Sequence, residues 1–279
     1  VALILVSNHA VECTVEYKGP ATTAGKPSVE NVVIKLDKSS CRWPLSSSAD
    51  TIKPPLYLYY VLQGFYQNHR RYLLSRNLDQ LHGKIVTDKS RITECEPLAL
   101  SSDGYRIKTP CGLAAAAVFN DTISVPDYTL HETADDIVWS AESEFKNPVD
   151  DGSVEYQMLD QWLDESIFPG KMENPHFMVW MRNAALPKFR KLYGVIKDEV
   201  KLPMEINVVN RYPVESFSGR KYIMLSQMSW VGGRNPSIGI AFCVVGGMLF
   251  AFLIFVLVQN RKNPRVLGDV RFLKWRKQH

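Results

Sequence analysis

The side chains of this sequence that could carry acid–base or metal chemistry are six histidines and several neighbouring carboxylates. Pairs such as Asp135–Asp136 and Asp150–Asp151 are consecutive and point in different directions, which is typical of solvated loops. No GxSxG, HExxH, P-loop or GxGxxG motif occurs in the sequence. The histidines, none of them spaced as metal ligands on one helix or hairpin, are His9, His69, His82, His131, His176 and His279. The sequence therefore predicts neither a catalytic site nor a metal site.

The longest apolar segment runs from Ile238 to Val258 and contains 21 residues without a charge. As a helix it would measure about 31 Å, which matches the roughly 30 Å hydrocarbon core of a bilayer. The residues that follow, 259–279, contain seven Lys or Arg and one Asp. By the positive-inside rule this end lies in the cytosol. We therefore expect a transmembrane helix over 237–258 and a basic cytosolic tail over 259–279.

The chain begins with the apolar segment Val1–Val6, which is too short to span a bilayer. We expect residues 1–10 to be the outer end of a first transmembrane helix, with the remnant of a signal peptide or a short strand as alternatives. Two spans would then tether residues 11–236 as a lumenal or extracellular ectodomain.

The positive net charge of this protein comes from its tail. The whole chain has 33 Lys or Arg and 29 Asp or Glu, and subtracting the tail leaves 26 and 28 for residues 1–258. The folded part is therefore slightly acidic, and this excludes a nucleic-acid-binding domain, which needs a basic face.

Four of the five cysteines lie in the predicted ectodomain, and Cys243 lies in the predicted span. An even number in an oxidising compartment indicates two disulfides, for which three connectivities exist. The segment from Cys95 to Cys111 is rich in turn residues, which favours a bond between these two, and a Cys13–Cys41 bond follows by elimination. No CxxC zinc pattern is present.

One N-glycosylation sequon lies in the same region. Asn120-Asp121-Thr122 matches the N-x-[ST] pattern, whereas Asn235-Pro236-Ser237 is excluded by its proline. We therefore expect an N-linked glycan at Asn120.

The pattern of the ectodomain predicts an α+β fold with a β-rich, antiparallel, sandwich-like centre and helical insertions. Alternating and β-branched runs predict strands over Val32–Leu36, Pro55–Leu62, Met204–Tyr212 and Tyr222–Ser229. Near-helical spacing predicts helices over Phe65–Leu81 and over residues 188–196, where Phe189, Leu192, Tyr193 and Ile196 would share one face.

Four ordered blocks of this sequence together resemble one protein family. They are FYQNHRRY with Ser75-Arg76, PCG with FNDT, WMR with AALP and FRKLYG, and SWVGG with Asn235. The chain resembles the ligand-effect modulator family, also called the cell division control protein fifty family, whose members are two-span accessory subunits of phospholipid flippases. The likeness extends from about Tyr57 to Trp275. Residues 13–55 match poorly.

The resemblance implies a non-catalytic subunit without a cofactor. Its partner would be a type IV P-type ATPase, in a heterodimer that moves membrane lipid. The subunit would be needed for the folding of the pump, its exit from the endoplasmic reticulum and its transport cycle. The complex would reside in the endoplasmic reticulum, Golgi or endosomes, and plasma membrane. Cys95–Cys111 matches the second disulfide of the family, and Asn120 matches a family glycosylation position.

Two sets of residues are candidates for partner contact. Small residues recur every four positions in the span, at Gly239, Cys243, Gly247 and Ala251, and such a stripe permits close helix–helix approach. It would pack on the pump or on the first span of this chain. In the ectodomain, Arg70 and Arg71 and the block of Trp230, Gly232, Gly233 and Asn235 would meet lumenal loops of the pump or serve structural roles.

Two other functions are compatible with a tethered ectodomain. The chain would alternatively be a membrane-anchored adhesion or receptor glycoprotein, or a lumenal membrane-bound enzyme. A stable complex with a much larger ATPase distinguishes the accessory subunit from both.

Overall fold

The computed structural model describes residues 2–23, 26–43, 50–140, 144–149, 156–157, 163–230 and 232–264. The tail from residue 265 onward lies outside the described residues. The helices are α1 Ala2–His9, α2 Arg70–Leu74, α3 Leu78–Leu81, α4 Leu113–Ala116, α5 Ala134–Ile137, α6 Pro175–Met181 and α7 Ser237–Lys262. The strands are β1 Glu12–Tyr17, β2 Thr22–Thr23, β3 Lys26–Pro27, β4 Glu30–Leu36, β5 Cys41–Arg42, β6 Thr51–Ile52, β7 Leu56–Gln63, β8 Ile107–Lys108, β9 Thr122–Ser124, β10 Leu130–His131, β11 Tyr156–Gln157, β12 Lys188–Ile196, β13 Val200–Lys201, β14 Met204–Asn210 and β15 Arg220–Gln227.

Two antiparallel sheets form the centre of the fold. The larger sheet has six strands in the order β10-β12-β7-β15-β1-β5, and the smaller has three in the order β4-β14-β9. Both sheets contribute to one buried cluster, the larger through residues such as Leu58 and Ile223 and the smaller through Ile34 and Ile206. This confirms the prediction of a β-rich, sandwich-like α+β fold.

The alternation of β7 explains why this strand lies near the centre of the larger sheet. Leu56, Leu58, Tyr60 and Leu62 are buried in the shared core, while residues of the other parity face away from the smaller sheet. β7 pairs with β12 along one edge and with β15 along the other. The strands predicted from alternation are all present, with bounds shifted by a few residues.

The helix predicted over residues 188–196 is wrong, because this segment is β12. Its first half alternates, with Phe189, Lys191 and Tyr193 buried on the core face. The helix was predicted because the apolar residues of this segment match helical spacing when Lys191 is taken to be exposed. The lysine is accommodated because its Nζ donates to carbonyls at the end of α6, at 3.1 Å from that of Val179. A bulge between Leu192 and Gly194 then changes the parity of the strand.

The single helix predicted over Phe65–Leu81 is also wrong, because the structure has two short helices, α2 and α3, separated at Ser75. Ser75 is buried and its Oγ accepts from the N–H of Leu113 at 2.9 Å. Its carbonyl accepts from the N–H of Ala114. Because Ser75 uses its carbonyl and hydroxyl groups in these contacts, the helix does not continue through it.

The turn at Gly112, within the PCG block, faces this same break. Gly112 has φ +100°, a backbone conformation that residues other than glycine rarely adopt. A Cβ at this position would lie 2.1 Å from the carbonyl oxygen of Ser75. Two independent constraints therefore require glycine here.

A buried ion pair joins the two sheets. Lys221 of β15 and Asp121, which precedes β9, are fully buried, with Lys221 Nζ 2.6 Å from Asp121 Oδ2. Lys221 Nζ also donates to Asn210 Oδ1 of β14 and to the Tyr212 carbonyl. Tyr17 of β1 donates its hydroxyl to Asp121 Oδ2 at 2.9 Å. The pair therefore links β1 and β15 of the larger sheet to β14 and β9 of the smaller.

The charges of this pair are compensated by the surrounding backbone. Asp121 Oδ1 accepts from the N–H groups of Arg211 and Tyr212, both at 2.6 Å. Burial lowers the pKa of Lys221, and the adjacent Asp121 carboxylate opposes this shift. Burial and the same carboxylate raise the pKa of the Tyr17 hydroxyl well above its usual value, so Tyr17 remains a donor.

We expect Gly112→Ala to destabilise the fold by at least about 2 kcal/mol, because it combines an unfavourable backbone conformation with a clash against Ser75. Gly104→Ala is the matched control: Gly104 also has positive φ, but a Cβ there meets nothing within 4 Å. The apparent melting midpoint of the purified chain in detergent measures the difference. Equal midpoints for the two variants would contradict the proposed clash.

We expect Lys221→Met to destabilise the protein by about 3–5 kcal/mol, because it leaves the Asp121 carboxylate buried without its cation. The melting midpoint should fall by roughly 10 °C. The control is Lys35→Met, which removes a lysine–carboxylate pair with Glu205 that is exposed rather than buried. This change should lower the free energy of unfolding by no more than about 1 kcal/mol. A Lys221→Met midpoint no lower than that of Lys35→Met would contradict the role of the pair.

Candidate partner interface

Helix α7 is long and apolar enough to cross a membrane, and among the described residues it is the one helix that meets this test. Its large side chains, including Phe242, Leu249 and Phe255, are exposed. Gly239 is its one buried residue. An apolar helix with this exposure requires lipid or another protein around it.

The stripe of small residues on α7 divides into two parts. A Cβ at Gly239 would lie 2.5 Å from Cγ1 of Ile4, so α1 of this chain covers this position. At Gly247 a Cβ would meet nothing within 4 Å, and Cys243 and Ala251 are exposed. Contact within the chain therefore accounts for the first position of the stripe. Gly247 faces open space within the described part of the chain, and Ala251, one turn further along, is exposed.

Asn235 positions the start of α7. Its Oδ1 accepts from the N–H of Ser237 at 3.0 Å, and its own N–H donates to Ser7 Oγ at 2.6 Å. Because Ser7 lies beside Asn235 and Ile4 lies beside Gly239, α1 and α7 run antiparallel. Asn235 therefore has a structural role at the junction between the helices and the β-rich domain.

Arg234 completes this junction and was not singled out by sequence reasoning. Its NH1 donates to three carbonyls, those of Asn8, Ala10 and Arg42, at distances of 3.1–3.5 Å. One guanidinium therefore ties the end of α1 and β5 to the segment that leads into α7. The signal in the sequence is an arginine between the Gly232-Gly233 turn and Asn235.

Trp230 lies at the tip of a tight turn next to this junction. Ser229 and Gly232 exchange backbone hydrogen bonds at 2.9 and 2.8 Å, and Gly232 has φ +105°. Trp230 is 81% exposed. A Cβ at Gly233 would lie 3.3 Å from the guanidinium of Arg190, so the backbone passes close to β12. The turn presents the indole away from the domain.

Arg70 and Arg71 are exposed on α2 and lie far from Trp230. β7 and β15 pair over their whole length, with Gln63 opposite Arg220 and Leu56 opposite Gln227. α2 follows the Gln63 end of β7, and the turn at Trp230 follows the Gln227 end of β15. Seven residue steps of a strand measure about 23 Å. The structure therefore does not bring the two candidate contact blocks together.

The outer face of the larger sheet carries a cationic and aromatic surface that sequence reasoning missed. Lys188 lies over the ring of Tyr222 at 5.5 Å, and Arg190 lies over that of Tyr59 at 5.2 Å. Burial raises the pKa of the Tyr59 hydroxyl, and Arg190 opposes this shift. Assigning residues 188–196 to a helix concealed the surface, because only a strand places Lys188 and Arg190 on the same face.

A groove of about 350 Å³ lies on this face. Arg42 and Lys188 contribute positive charge to it, and Glu12 contributes negative charge. Hydroxyl groups of Ser39 and Thr14 also line the groove. Its charge and polar lining are suited to an acidic or polar polypeptide segment.

Two disulfides are present in the structure. Cys13–Cys41 joins β1 to the edge strand β5, directly beside the carbonyl of Arg42 that Arg234 binds. Cys95–Cys111 closes the segment that leads into Gly112. Each bond therefore lies next to a turn or junction whose conformation the fold requires.

Asn120 lies at the edge of the smaller sheet. It precedes β9, which pairs only with β14 among the described strands. Of the two residues that follow Asn120, Asp121 is held in the core by Lys221, and Thr122 Oγ1 accepts at the surface from the NH1 of Arg211 at 3.0 Å. Asn120 itself is half-buried, and its Oδ1 has no hydrogen-bond partner.

No group of three or more His, Cys, Asp or Glu side chains in the described part of the chain is placed to hold a metal ion. His176 Nε2 lies 2.8 Å from Glu132 Oε2, and its ring stacks on Tyr193 with 4.3 Å between centroids. This histidine is accordingly held by packing against β12 and by one carboxylate.

Comparison with known proteins identifies relatives of the whole domain. The chain is 39% identical over 227 residues to "Putative ALA-interacting subunit 2" of Arabidopsis thaliana, over 78% of this chain and 64% of the relative. It is 34% identical over 297 residues to "Cell cycle control protein 50A" of Mus musculus, over 94% of this chain and 79% of the relative. It is 36% identical to "Cell cycle control protein 50B" of Homo sapiens, over 78% and 70%.

The alignment to the Arabidopsis relative thus spans slightly less than two thirds of that protein's length. A family model matches residues 3–266, which include α1, both sheets, the Arg234 junction and α7. This chain belongs to the LEM3 (ligand-effect modulator 3) family, also called the CDC50 family.

Proposed function

We propose that this chain is a non-catalytic accessory subunit of a phospholipid-translocating, type IV P-type ATPase. The observation that carries the proposal is the match of the family over residues 3–266, together with an α7 whose apolar surface is open. Relatives of this chain are named as ALA-interacting subunits, and a subunit acts through its partner. The chain forms a heterodimer with the pump, and membrane lipid is moved by the pump.

The proposed topology follows from α1, α7 and the basic residues after α7. The chain is a membrane protein with α7 as a span. α1 lies antiparallel to α7 and packs on Gly239, as the outer end of a first span would. Arg261 and Lys262 lie in the last turn of α7, and by the positive-inside rule they support a cytosolic position for that end. Residues 11–236 then lie in the lumen or outside the cell.

The open part of the stripe on α7 is the proposed membrane contact with the pump. In lipid, helices associate through close packing, because lipid chains are as apolar as leucine side chains. Gly247 and its neighbours permit a partner helix to approach the α7 backbone. Gly239 does not contribute, since Ile4 covers it.

The β-rich domain supplies contacts outside the bilayer. Its cationic and aromatic face carries Lys188 and Arg190, and the groove on this face, which Lys188 and Arg42 line, is suited to acidic segments of the partner. Arg70 and Arg71, with the exposed Leu74 beside them, form a second surface on α2, which follows the end of β7 that lies away from α7. This second surface would add contacts to those of the cationic and aromatic face.

This architecture also suits roles in biogenesis. A pump whose lumenal loops and helices have matching surfaces on this chain would be stabilised by binding it, since a ligand of the native state shifts folding by mass action. We propose that the subunit is required for folding of the pump, exit from the endoplasmic reticulum and completion of the transport cycle. The complex then operates in the Golgi, endosomes or plasma membrane.

Affinity purification of the full chain from mildly solubilised membranes tests the proposed function. We expect a stable complex with a much larger ATPase, seen as one band on a native gel and identified by mass spectrometry. A folded chain that migrates alone would instead support an adhesion or receptor glycoprotein.

We expect Gly247→Leu to reduce co-purification of the pump by roughly tenfold or more, because the added side chain separates the packed helices. The matched control is Val245→Leu, which adds bulk about 160° away around the helix axis. Both variants should be recovered in equal amounts. Equal co-purification of the two variants would show that this face of α7 does not contact the pump.

We expect the chain to carry one N-linked glycan at Asn120. Glycosidase treatment should then increase its mobility on a denaturing gel. Asn120→Gln and Thr122→Ala should abolish that shift, whereas Thr122→Ser, which preserves the sequon, should retain it. A shift that persists in Asn120→Gln would assign the glycan elsewhere.

A further inference from the structure

A cavity of about 380 Å³ lies where α1 enters the β-rich domain. Three segments enclose it: the end of α1, the loop at residues 53–55 and the end of β15 with the two residues after it. Its walls include Val6, His9, Lys53, Pro54 and Met228. It has no part in the proposed contacts with the pump.

The depth of this cavity follows from the packing of α1 on α7. Ser7 hydrogen-bonds to Asn235, just before α7 begins, and Ile4 lies beside Gly239, less than one turn inside α7. Val6 is therefore near the start of the apolar helix, and His9 lies on its polar side. In the proposed topology the cavity opens at the level of the phospholipid headgroups of the outer leaflet.

The residues that line the cavity form an apolar group and a polar group. Val6, Pro54 and Met228 are apolar, and the lining contains no acidic residue. Gln227 is occupied by the protein, because its Oε1 accepts from Val11 and its Nε2 donates to the Lys53 carbonyl at 2.8 Å. Lys53 and His9 are the lining residues whose side chains carry groups that can bind an anion.

We propose that this cavity binds a phospholipid of the adjoining leaflet. The phosphate is held by Lys53 Nζ and the His9 ring, and the first acyl carbons lie against Val6, Pro54 and Met228. A lipid satisfies both halves of the lining, whereas a free anion would leave the apolar wall in contact with water. Met228 is 42% exposed, so its side chain is accessible to an acyl chain.

The proposal rests on the proposed topology but not on the contact with the pump. A lipid held here would bridge α1, the loop before β7 and the end of β15, and would therefore stiffen the junction that Arg234 organises. The shared ligand chemistry is a phosphate monoanion, and the apolar wall distinguishes a lipid from inorganic phosphate.

Photo-crosslinking of the full chain, in its complex with the pump in phosphatidylcholine–phosphatidylserine nanodiscs, tests the proposal. The probe is a phosphatidylcholine with a photoreactive group at the start of one acyl chain. Mapping the labelled peptides of this chain by mass spectrometry should place the label at residues 6–10, 53–55 and 227–229. Unlabelled phosphatidylcholine should compete, whereas diacylglycerol and inorganic phosphate should not.

The double variant Lys53→Gln with His9→Gln should reduce this labelling by about fivefold or more, as expected from the attraction of one basic residue to a membrane surface. The control is Lys18→Gln, an exposed lysine just beyond the other end of β1, which should leave labelling unchanged. Val6→Trp, which fills the cavity and keeps both polar groups, should also reduce labelling.

Three results would overturn the proposal: label spread evenly along α7, unchanged labelling in the double variant, or competition by inorganic phosphate as strong as that by phospholipid. Co-purification of the pump is measured on the same samples. A complex that forms without labelling at the cavity refutes the lipid site alone. Labelling at the cavity without the pump refutes the proposed partnership and leaves the lipid site intact.

Discussion

The fold depends on a charged pair in the middle of its core. Lys221 and Asp121 are both fully buried, and their partners come from strands of both sheets. Two charges in an apolar interior are unfavourable unless each is compensated, and here Asp121 accepts two backbone N–H groups as well as the Tyr17 hydroxyl. The geometry is satisfied only when the sheets lie in one relative position. The pair therefore fixes the position of one sheet relative to the other.

This constraint reaches the surface through neighbouring residues. Asp121 is the middle residue of the sequon, so the core interaction that joins the sheets also fixes the backbone beside Asn120. At the other end of the domain, Arg234 binds three carbonyls and joins α1, β5 and the approach to α7. Buried or half-buried cations that bind main-chain carbonyls thus recur in this protein. Lys191 of β12, whose Nζ donates to carbonyls at the end of α6, is a third case.

The two levels of proposed contact, in the bilayer and outside it, depend on different physics. α7 exposes apolar side chains along its length, and in lipid the packing of small residues decides which helix it binds. The β-rich domain instead exposes cations held over aromatic rings, whose attraction for an acidic partner weakens as salt rises. The Arg234 junction joins the two surfaces, so the orientation of the β-rich domain relative to α1 and α7 is set at one site.

Several features were predictable from the sequence because they are local. The long apolar helix, the strands β4, β7, β14 and β15 and the absence of a catalytic motif follow from composition and spacing within a few residues. Residues 188–196 show where this fails. The buried Lys191 breaks the apolar alternation, and only the carbonyls at the end of α6 make its burial acceptable.

The sequence by itself determined that this chain has an apolar segment long enough to cross a membrane, a β-rich domain and the motif blocks of its family, because each of these depends on residue types along a continuous segment. Tertiary structure alone decided that Gly239 is covered while Gly247 is open, that Arg70 and Trp230 lie at opposite ends of the sheet, and that Lys221 meets Asp121. The physical reason is that burial, ion pairing and helix contact depend on groups far apart in the chain. Lys221 and Asp121 are 100 residues apart, and no local pattern records their distance.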